Sequence, residues 1–343
     1  MLNILFIITK SEIGGAQKWT KEQLDICSKD FNCYLATNKI GWLSKNAVVE
    51  DVFFSQLIQS RFSIRYLFLL NEYVKERKID ILISSSANAG IYSRLLKLLN
   101  AKIKIIYVSH GWSSIYNGGY LKYLYILIEK CLSWLSDSIL CISEYDYKNA
   151  VNVIGINKKR LKKISNCIFH IPIESRINKS DKIKILSVSR LSPPKRIDLL
   201  LSAVKNIDVE LHIIGDGELR RGLEIMSPSN VFFHGEIENF SNFSNFDIFC
   251  LISDSEGLPL SAIEAMSAGL PLILSNVGGC SELIHENGCL VENSVKEIQR
   301  AIIDSSNQIE LYGCQSKILF ETRFNLALNN NQYLDYYREI LLT

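Results

Sequence analysis

Two carboxylates frame a Gly-Leu-Pro segment in the second half of this 343-residue chain. Glu256 directly precedes Gly257, Leu258 and Pro259, and Glu264 follows eight residues after Glu256. An apolar strand pattern ends just before this segment, and a proline suits the first position of a helix, where no N–H donor is needed. The backbone N–H groups at such a helix start favour an anion such as a diphosphate. Glu264 can then accept hydrogen bonds from a vicinal diol such as ribose.

Either glutamate, taken alone, would better fit a plain structural role. Glu264 could be a solvated residue on a helix face, and Glu256 could be a carboxylate that stabilises the helix dipole. The Gly-Leu-Pro segment between them favours a ligand site, because it combines a close backbone approach with a helix start.

Two cations follow the first predicted strand of the second half, in VSRLSPPKRIDLL (188–200). Arg190 could neutralise a diphosphate through its bidentate guanidinium, and Lys195 could do so as a point charge. A solvated basic loop is the alternative. The position at a strand end favours a function for this pair, whereas the neighbouring Arg196 is predicted to be a surface charge.

Glycines and one histidine occupy three other predicted strand ends. Gly14 and Gly15, in SEIGGAQKW (11–19), resemble a phosphate-binding loop without matching GxGxxG, and βα turns also carry glycine for geometry alone. Gly215 and Gly217, in GDGELRRGLE (215–224), could offer backbone groups to a nucleobase, and the aspartate between them is expected to cap the turn. His110, in VSHGW (108–112), is predicted to be functional because it ends a strand, although a lone histidine is more often structural.

The elements that must position these residues form two series of short apolar runs alternating with helical stretches. This pattern predicts an α/β fold of two doubly wound domains, with ligands at the carboxyl ends of the strands. The predicted domains are 1–170, completed by 324–343, and 171–323, with a polar linker over 171–182. The candidate strands are 2–9, 33–37, 80–86, 104–110 and 138–143, then 184–191, 210–217, 231–237, 247–253 and 270–279.

The composition argues against several other classes of protein. The net charge of +2 gives no reason to expect a nucleic-acid partner. The nine cysteines lack zinc-site spacing, and no Asp-x-Asp pair in a suitable loop could hold Mg²⁺, so we expect neither metal nor cofactor. No signal peptide is recognisable, and no apolar run approaches the ~20 residues that span a bilayer. We therefore expect a cytoplasmic protein with reduced cysteines.

Five motifs, in this order, resemble the retaining GT-B glycosyltransferases of the GT4-type family (glycosyl transferases group 1). The strongest part is the E-x7-E pattern in the last motif. One departure is visible, because the Asn-Gly turn expected between the domains reads here as Asn166-Cys167. The motifs are GGAQ (14–17), VSHG (108–111), SRLSPPK (189–195), GDGELR (215–220) and SEGLPLSAIEAMSAGLPLILSNVGG (255–279).

The resemblance implies two facing Rossmann-like domains with a cleft between them, and a C-terminal helix that crosses back to the first domain. The segment 324–342 has the pattern of that helix, with Leu334, Tyr337 and Ile340 spaced for one face. The second domain would hold the sugar nucleotide, and the first would hold the acceptor.

The resemblance also assigns roles to individual residues. Arg190 and Lys195 would bind the donor diphosphate, Glu264 the ribose, and Glu256 with its neighbouring backbone the transferred sugar. His110 would lie beside the reacting face of the sugar, and the glycine pair of the first loop would border the diphosphate and the acceptor.

The reaction implied is a metal-independent transfer of a hexose-type sugar from a nucleotide-sugar donor, expected to be UDP-linked, with retention. The acceptor would be a saccharide or a lipid-linked saccharide of a bacterial surface polysaccharide (O-antigen, capsule or lipopolysaccharide). A nucleotide-sugar epimerase of the same architecture and a non-enzymatic nucleotide-sugar binding module are alternatives. A nicotinamide dehydrogenase is disfavoured, because neither half has GxGxxG followed by an acidic residue at the next strand end.

The apolar segment YLKYLYILIEKCLSWL (120–135) has two interpretations of equal weight. It could be a buried helix of the first domain, or it could face the cytoplasmic surface of the inner membrane as a peripheral contact. Basic residues nearby in sequence could attract anionic lipid (Lys158, Lys159, Arg160, Lys162 and Lys163).

Overall fold

The computed structural model of the protein describes residues 1–60, 62–112, 119–172 and 182–342. Most of the predicted linker, residues 173–181, therefore lies outside the described residues. The chain divides into two compact units. The first consists of Met1–Asn166 with Asn329–Thr343, and the second of Cys167–Leu328.

A parallel sheet forms the centre of the first unit, and its inner strands are almost completely buried. In the described residues the strand order is 3-2-1-4-5-6-7. Burial on both faces explains why these strands are apolar throughout rather than alternating. The strands are β1 (Leu2–Ile7), β2 (Phe31–Thr37), β3 (Asp51–Phe54), β4 (Ile81–Ser84), β5 (Lys104–Ser109), β6 (Ser138–Cys141) and β7 (Leu161–Lys163).

Helices connect these strands, as parallel pairing requires. The longer ones bury one side, as Tyr66, Leu70 and Val74 show in the third helix. The helices are α1 (Gly15–Cys27), α2 (Trp42–Asn46), α3 (Ile64–Glu76), α4 (Ala87–Leu96), α5 (Lys122–Ser133) and α6 (Glu144–Asn149).

The second unit repeats the arrangement. Its strands are β8 (Ile183–Val188), β9 (Val209–Ile214), β10 (Val231–Gly235), β11 (Ile248–Leu251), β12 (Leu272–Ser275) and β13 (Gly288–Val291), in the order β10-β9-β8-β11-β12-β13 over the described residues. Its helices are α7 (Ile197–Val204), α8 (Arg220–Met226), α9 (Leu260–Ser267), α10 (Val295–Ser306) and α11 (Ile309–Leu319). Counted within each unit, the first six strands have the order 3-2-1-4-5-6 of a Rossmann domain.

The C-terminal helix α12 (Leu326–Leu342) packs on the first unit. Tyr337 donates to Gln23 Oε1 at 2.8 Å, and Tyr336 donates to Ser138 Oγ at 2.7 Å. Leu334, Tyr337 and Ile340 are all buried, which confirms the predicted apolar face. Buried phenol groups that find hydrogen-bond partners fix the register of this helix as well as its position.

Strand order reverses beside the first strand of each unit. In the first unit β1 lies between β2 and β4, and in the second β8 lies between β9 and β11. Such reversals create a crevice outside the carboxyl ends of the two central strands, where α/β sheets bind ligands. The predicted residues after β1, β8 and β11 therefore lie at these points.

Candidate active site

Two loops of the second unit lie side by side at its strand-order reversal. The loop after β8 pairs with the loop after β11 through an isolated antiparallel bridge between Lys195 and Ser253. Arg196 N–H donates to the Ile252 carbonyl at 2.9 Å, and Asp254 N–H donates to the Pro194 carbonyl at 2.9 Å. These backbone bonds bring two separate predicted motifs into one structure.

An ion pair joins the two motifs directly. Lys195 Nζ donates to Glu256 Oε1, and the two side chains are only 17% and 10% exposed. The pair is sheltered from water, so removal of either partner would leave an uncompensated charge. Each partner therefore fixes the position of the other. The lysine keeps further N–H donors for a ligand, since an ammonium group has three.

Arg190 contrasts with this lysine. Its side chain is exposed, and it makes no ion pair or hydrogen bond within the described parts of the chain. An unpaired guanidinium at a strand end is available for bidentate binding of a phosphate. Arg196, which was predicted to be a surface charge, forms ion pairs with Asp198 at 2.9 Å and Asp254 at 3.3 Å.

The Gly215–Gly217 turn packs against the backbone that carries Arg190. Gly215 has φ +134°, and a Cβ there would overlap the Ser189 carbonyl oxygen. A Cβ on Gly217 would overlap the Leu191 carbonyl in the same way. Asp216 stabilises the turn as predicted, by accepting from the Gly217 N–H at 2.7 Å. Helix α8 begins at Arg220, after a turn formed by residues 218 and 219.

Pro259 precedes helix α9 rather than occupying its first helical position, which corrects the prediction by one residue. Its φ of −70° suits a helix, but its ψ of 118° is extended, so it is the N-cap. No side chain caps this helix start. At the other end Gly269 has φ +79°, and Leu270 N–H donates to the Ala265 carbonyl at 3.0 Å, which closes a Schellman motif.

The backbone of Glu256 and Gly257 rests on a second glycine pair. Gly279 N–H donates to the Gly257 carbonyl at 2.8 Å. Gly278 has φ +56°, and a Cβ at this position would overlap the Glu256 carbonyl oxygen. The glycines that end the E-x7-E motif thus fix the first glutamate from behind.

A ring of three hydrogen bonds joins the carboxyl ends of β11, β12 and β13, and the sequence analysis missed it. Ser253 N–H donates to Ser275 Oγ at 2.9 Å, and Ser275 Oγ donates to Asn293 Oδ1 at 2.6 Å. Asn293 Nδ2 donates to the Ser253 carbonyl at 3.0 Å, which closes the ring. A polar residue at the end of each of these strands could have indicated the ring, but β13 itself was not predicted.

Glu264 and Leu258 are buried, at 7% and 4% exposed. Glu264 is therefore not a solvated residue on a helix face, and that interpretation of it is wrong. The small residues around it on α9 are buried as well, including Ala262 and Ala265 at 0%. Small side chains let α9 approach its sheet closely, so the position of the glutamate is set by packing.

A pocket of about 270 Å³ adjoins the ion pair. It lies between α7 and α8, and Lys195 and Asp198 are its charged lining residues. Most of the remaining lining is apolar, including Leu191, Leu219 and Met226. A pocket of this composition suits a flat, partly apolar group next to a charged one.

In the first unit, Gly14 is the N-cap of α1 and Gly15 is its first residue. Gly14 is extended, and no side chain caps the helix. Thr9 N–H donates to Ser86 Oγ at 3.0 Å, which ties the loop after β1 to the loop after β4. The predicted glycine loop thus lies at the strand-order reversal of its own unit.

His110 directly follows β5, and its ring packs edge-on against the buried Trp19, with 5.1 Å between the ring centroids. Its Nε2 is buried and has no hydrogen-bond partner in the described chain. Burial lowers the pKa of His110 to about 4, so the ring is neutral at pH 7.

The described residues contain neither a metal-binding cluster nor a membrane-spanning helix. Among the residues that the structure describes, no group of three His, Cys, Asp or Glu side chains could hold a metal ion. In the same residues, no helix is both long and apolar enough to span a bilayer.

The sequence matches two family profiles that together cover most of the chain. Residues 14–169 match Glycosyltransferase Family 4, and residues 182–308 match Glycosyl transferases group 1. The chain belongs to the family 4 glycosyltransferases. It is 46% identical over 301 residues to the O-antigen biosynthesis glycosyltransferase WbnH of Escherichia coli, covering 87% of this chain and 88% of WbnH.

More distant relatives agree with this assignment. The chain is 26% identical to an E. coli UDP-Gal:α-D-GlcNAc-diphosphoundecaprenol α-1,3-galactosyltransferase, over 80% of this chain and 79% of that enzyme. The crystal structure of Anabaena HepE with UDP and glucose superposes with a TM-score of 0.83, at 18% identity, covering 98% of this chain and all of HepE. The fold of this glycosyltransferase is therefore GT-B, with two Rossmann-like domains.

Proposed function

We propose that this glycosyltransferase moves a hexose from a UDP-sugar to a lipid-linked saccharide during assembly of an O-antigen or a similar surface polysaccharide. The reaction retains the anomeric configuration, needs no metal ion and takes place at the cytoplasmic face of the inner membrane. The observation that carries the proposal is the meeting of Arg190, the Lys195–Glu256 pair and the uncapped start of α9 at one strand-order reversal.

The donor is proposed to be UDP-linked for two reasons. One relative is named for UDP-Gal, and the HepE structure contains UDP. In this chain, the apolar pocket beside Lys195 has room for a base next to a cation that would bind the diphosphate. Glu264 would accept hydrogen bonds from the ribose hydroxyls at its exposed edge.

The leaving group is stabilised by charges that are already in place. As the bond to the anomeric carbon breaks, negative charge develops on the diphosphate oxygen. Arg190, Lys195 and the N–H groups at the start of α9 face that charge, and Glu256 keeps Lys195 oriented through Oε1. The other oxygen of Glu256 remains to bind a sugar hydroxyl. No step requires a metal ion.

The acceptor hydroxyl attacks the same face of the sugar from which the diphosphate departs, and a phosphate oxygen takes its proton. His110 is neutral and can hydrogen-bond to the transferred sugar without adding charge. A lipid-linked acceptor is proposed because one relative is named for a diphosphoundecaprenol saccharide, and because WbnH is named for O-antigen biosynthesis.

The test is product analysis with the purified full-length protein. UDP-sugars are incubated one at a time with undecaprenyl-diphosphate saccharides in detergent, and both UDP and the lipid product are measured by mass spectrometry. We expect UDP release together with a product lengthened by one hexose, whose anomeric configuration NMR then compares with that of the donor. Arg190→Ala should abolish most of the transfer. Arg221→Ala should not, because Arg221 is an exposed arginine of the same unit that forms no ion pair with any described residue.

The alternatives predict different products. An epimerase would isomerise the nucleotide sugar without an acceptor, and a binding module would be stabilised by UDP without any turnover. Membership of a glycosyltransferase family favours transfer over both. Transfer that stops when EDTA removes divalent cations would contradict the metal-independent mechanism.

A further inference from the structure

Helix α5 and the turn before it carry a stripe of exposed apolar side chains. Tyr123 is 83% exposed, Leu127 is 56% and Trp134 is 68%. Tyr123 and Leu127 are four residues apart and Trp134 follows Leu127 by two helical turns, so these three side chains lie on one side of the helix. We call this stripe the α5 outer surface: Tyr120, Leu121, Tyr123, Leu124, Leu127 and Trp134. The interpretation of this segment as a buried helix is therefore wrong.

The opposite side of α5 is fastened to the first unit. Glu129 accepts from Arg94 Nη1 at 2.7 Å, and the arginine is completely buried. Ile126 packs against an apolar cluster, and Ser133 is buried at the end of the helix. The helix is thus held at a fixed orientation, and its outer surface faces away from the unit.

Basic groups border the outer surface. The guanidinium of Arg160 lies 5.5 Å from the ring centroid of Trp134. Lys130 Nζ lies beside Gly155. Gly155 precedes Lys158 by three residues in the chain. Lys158 and Lys159 are exposed, and neither forms an ion pair within the described residues.

Neighbouring acidic groups are already neutralised. Glu129 pairs with Arg94, Asp137 pairs with Lys97 at 2.7 Å, and Glu144 pairs with Lys163 at 2.8 Å. The border of the surface is therefore net positive, although the whole chain is close to neutral. Apolar side chains bordered by cations fit the boundary between acyl chains and anionic headgroups.

We propose that the α5 outer surface docks the enzyme on an anionic phospholipid bilayer. With 12 residues, α5 is too short to cross the hydrocarbon core, so it lies in the plane of the interface. A second copy of this chain fits less well, because a symmetric contact would bring the same lysines together. The proposal gives the membrane contact in the proposed function a definite location, and its test needs neither donor nor acceptor.

The test is flotation of the purified full-length protein with vesicles. One set contains phosphatidylcholine alone, and the other contains phosphatidylcholine with phosphatidylglycerol. We expect flotation with the anionic vesicles, weaker flotation with the neutral ones, and a loss of the difference as NaCl is raised. Tyr123→Ser combined with Leu127→Ser should weaken binding about tenfold or more. Lys158→Glu combined with Lys159→Glu should weaken binding to the anionic vesicles only, by a similar factor.

Matched variants in the second unit serve as controls. Leu311→Ser with Ile318→Ser removes two exposed apolar side chains of α11, and Lys205→Glu with Lys296→Glu reverses two exposed lysines. Neither pair should alter flotation, and thermal unfolding establishes that every variant is folded.

Three results would overturn the proposal. They are no flotation of the wild type, equal flotation of the Tyr123/Leu127 variant, and a wild-type dimer in light scattering that this variant dissociates. If UDP does not raise the melting temperature of the wild type, the proposed donor is contradicted, and the vesicle result is unaffected.

Discussion

At the strand ends of the second unit, a lysine and a glutamate form an ion pair and glycines fix the backbone behind the glutamate, whereas the first unit presents an apolar helix and a neutral histidine. Lys195 is held by Glu256, and Gly278 supports the glutamate from behind. Tyr123 and Leu127 of α5 are 83% and 56% exposed. A fixed array of charges suits a small charged ligand of defined shape, because little reorganisation is needed on binding. An apolar surface suits a large partner without a defined shape.

The same contrast appears when one candidate catalytic group of each unit is compared. Lys195 is paired with Glu256, which shares its sheltered position. His110 has no such partner in the described residues, and burial against Trp19 keeps it neutral. We therefore expect substitutions of Lys195 and its neighbours to act on donor binding and turnover. Substitutions of His110 or of the exposed residues of α5 should leave UDP binding intact.

The largest effect is expected from Gly278→Ala. A Cβ would overlap the Glu256 carbonyl at a positive φ, so the loop must move or the unit must unfold. We expect a loss of about 2–4 kcal/mol in the free energy of unfolding, together with loss of UDP binding. Urea denaturation and UDP-induced thermal shifts measure the two effects.

Gly119→Ala is the control for this substitution. Gly119 also has a positive φ, +46°, but a Cβ there would meet no atom of the described residues within 4 Å. It should cost about 1–2 kcal/mol from backbone strain alone and should leave UDP binding unchanged. Equal effects of the two substitutions would contradict the supporting role of Gly278.

The next effect is expected from Lys195→Ala. Removing the lysine takes away a charge that faces the leaving diphosphate, and kcat should fall by about 10²–10³-fold. Steady-state kinetics with the identified UDP-sugar measure the change, with Lys205→Ala as the control for a lysine of the same unit. Normal donor turnover in Lys195→Ala would rule out its role in leaving-group stabilisation.

A smaller effect is expected from Glu264→Gln. The substitution keeps the shape of the buried side chain and removes a charged acceptor, so KM for the donor should rise about tenfold while kcat changes little. Glu310→Gln, an exposed glutamate of α11, should change neither parameter. An unchanged KM in Glu264→Gln would contradict the ribose assignment.

The smallest effect concerns the pH dependence of stability in the first unit. The pKa of His110 is lowered to about 4 in the folded protein, so the unfolded chain takes up the proton first as the pH falls. Stability contributed by the neutral ring is therefore present above about pH 6.5 and is lost progressively towards about pH 4. Between about pH 7 and about pH 5 we expect this loss to be about 1–2 kcal/mol.

His110→Gln isolates this contribution, because glutamine does not titrate. Urea denaturation of the wild type and the variant is compared at about pH 7 and about pH 5, where all other titrating groups cancel. A stability difference between wild type and variant that is independent of pH would show that the histidine ring is not desolvated.

Much of the fold followed from the sequence, because buried parallel strands require apolar runs whose spacing is visible without structure. The predicted strands 184–191 and 270–279 were too long, since Ser189 and Asn276 already belong to loops. β3, β7 and β13 were missed. β13 contains Gly288 and is only four residues long, so it carries no periodic pattern.

The candidate site was predictable where residue type and chemistry coincide. An Arg and a Lys after one strand, and two Glu around a Gly-Leu-Pro, indicate an anion site by their charges alone. The Ser253–Ser275–Asn293 ring was not predictable, because serine and asparagine are common in loops and only the alignment of three strand ends brings them together.

The sequence by itself determined the two Rossmann-like domains, the family and the set of charged residues at the strand ends, since these depend on local pattern and residue type. Only the tertiary structure decided that Lys195 pairs with Glu256, that Gly278 fixes that glutamate, and that α5 turns its apolar side outward. Each of these depends on which distant segments meet. A stripe of tyrosine and leucine has the same spacing whether a protein core or a membrane covers it, so the sequence pattern alone cannot separate the two.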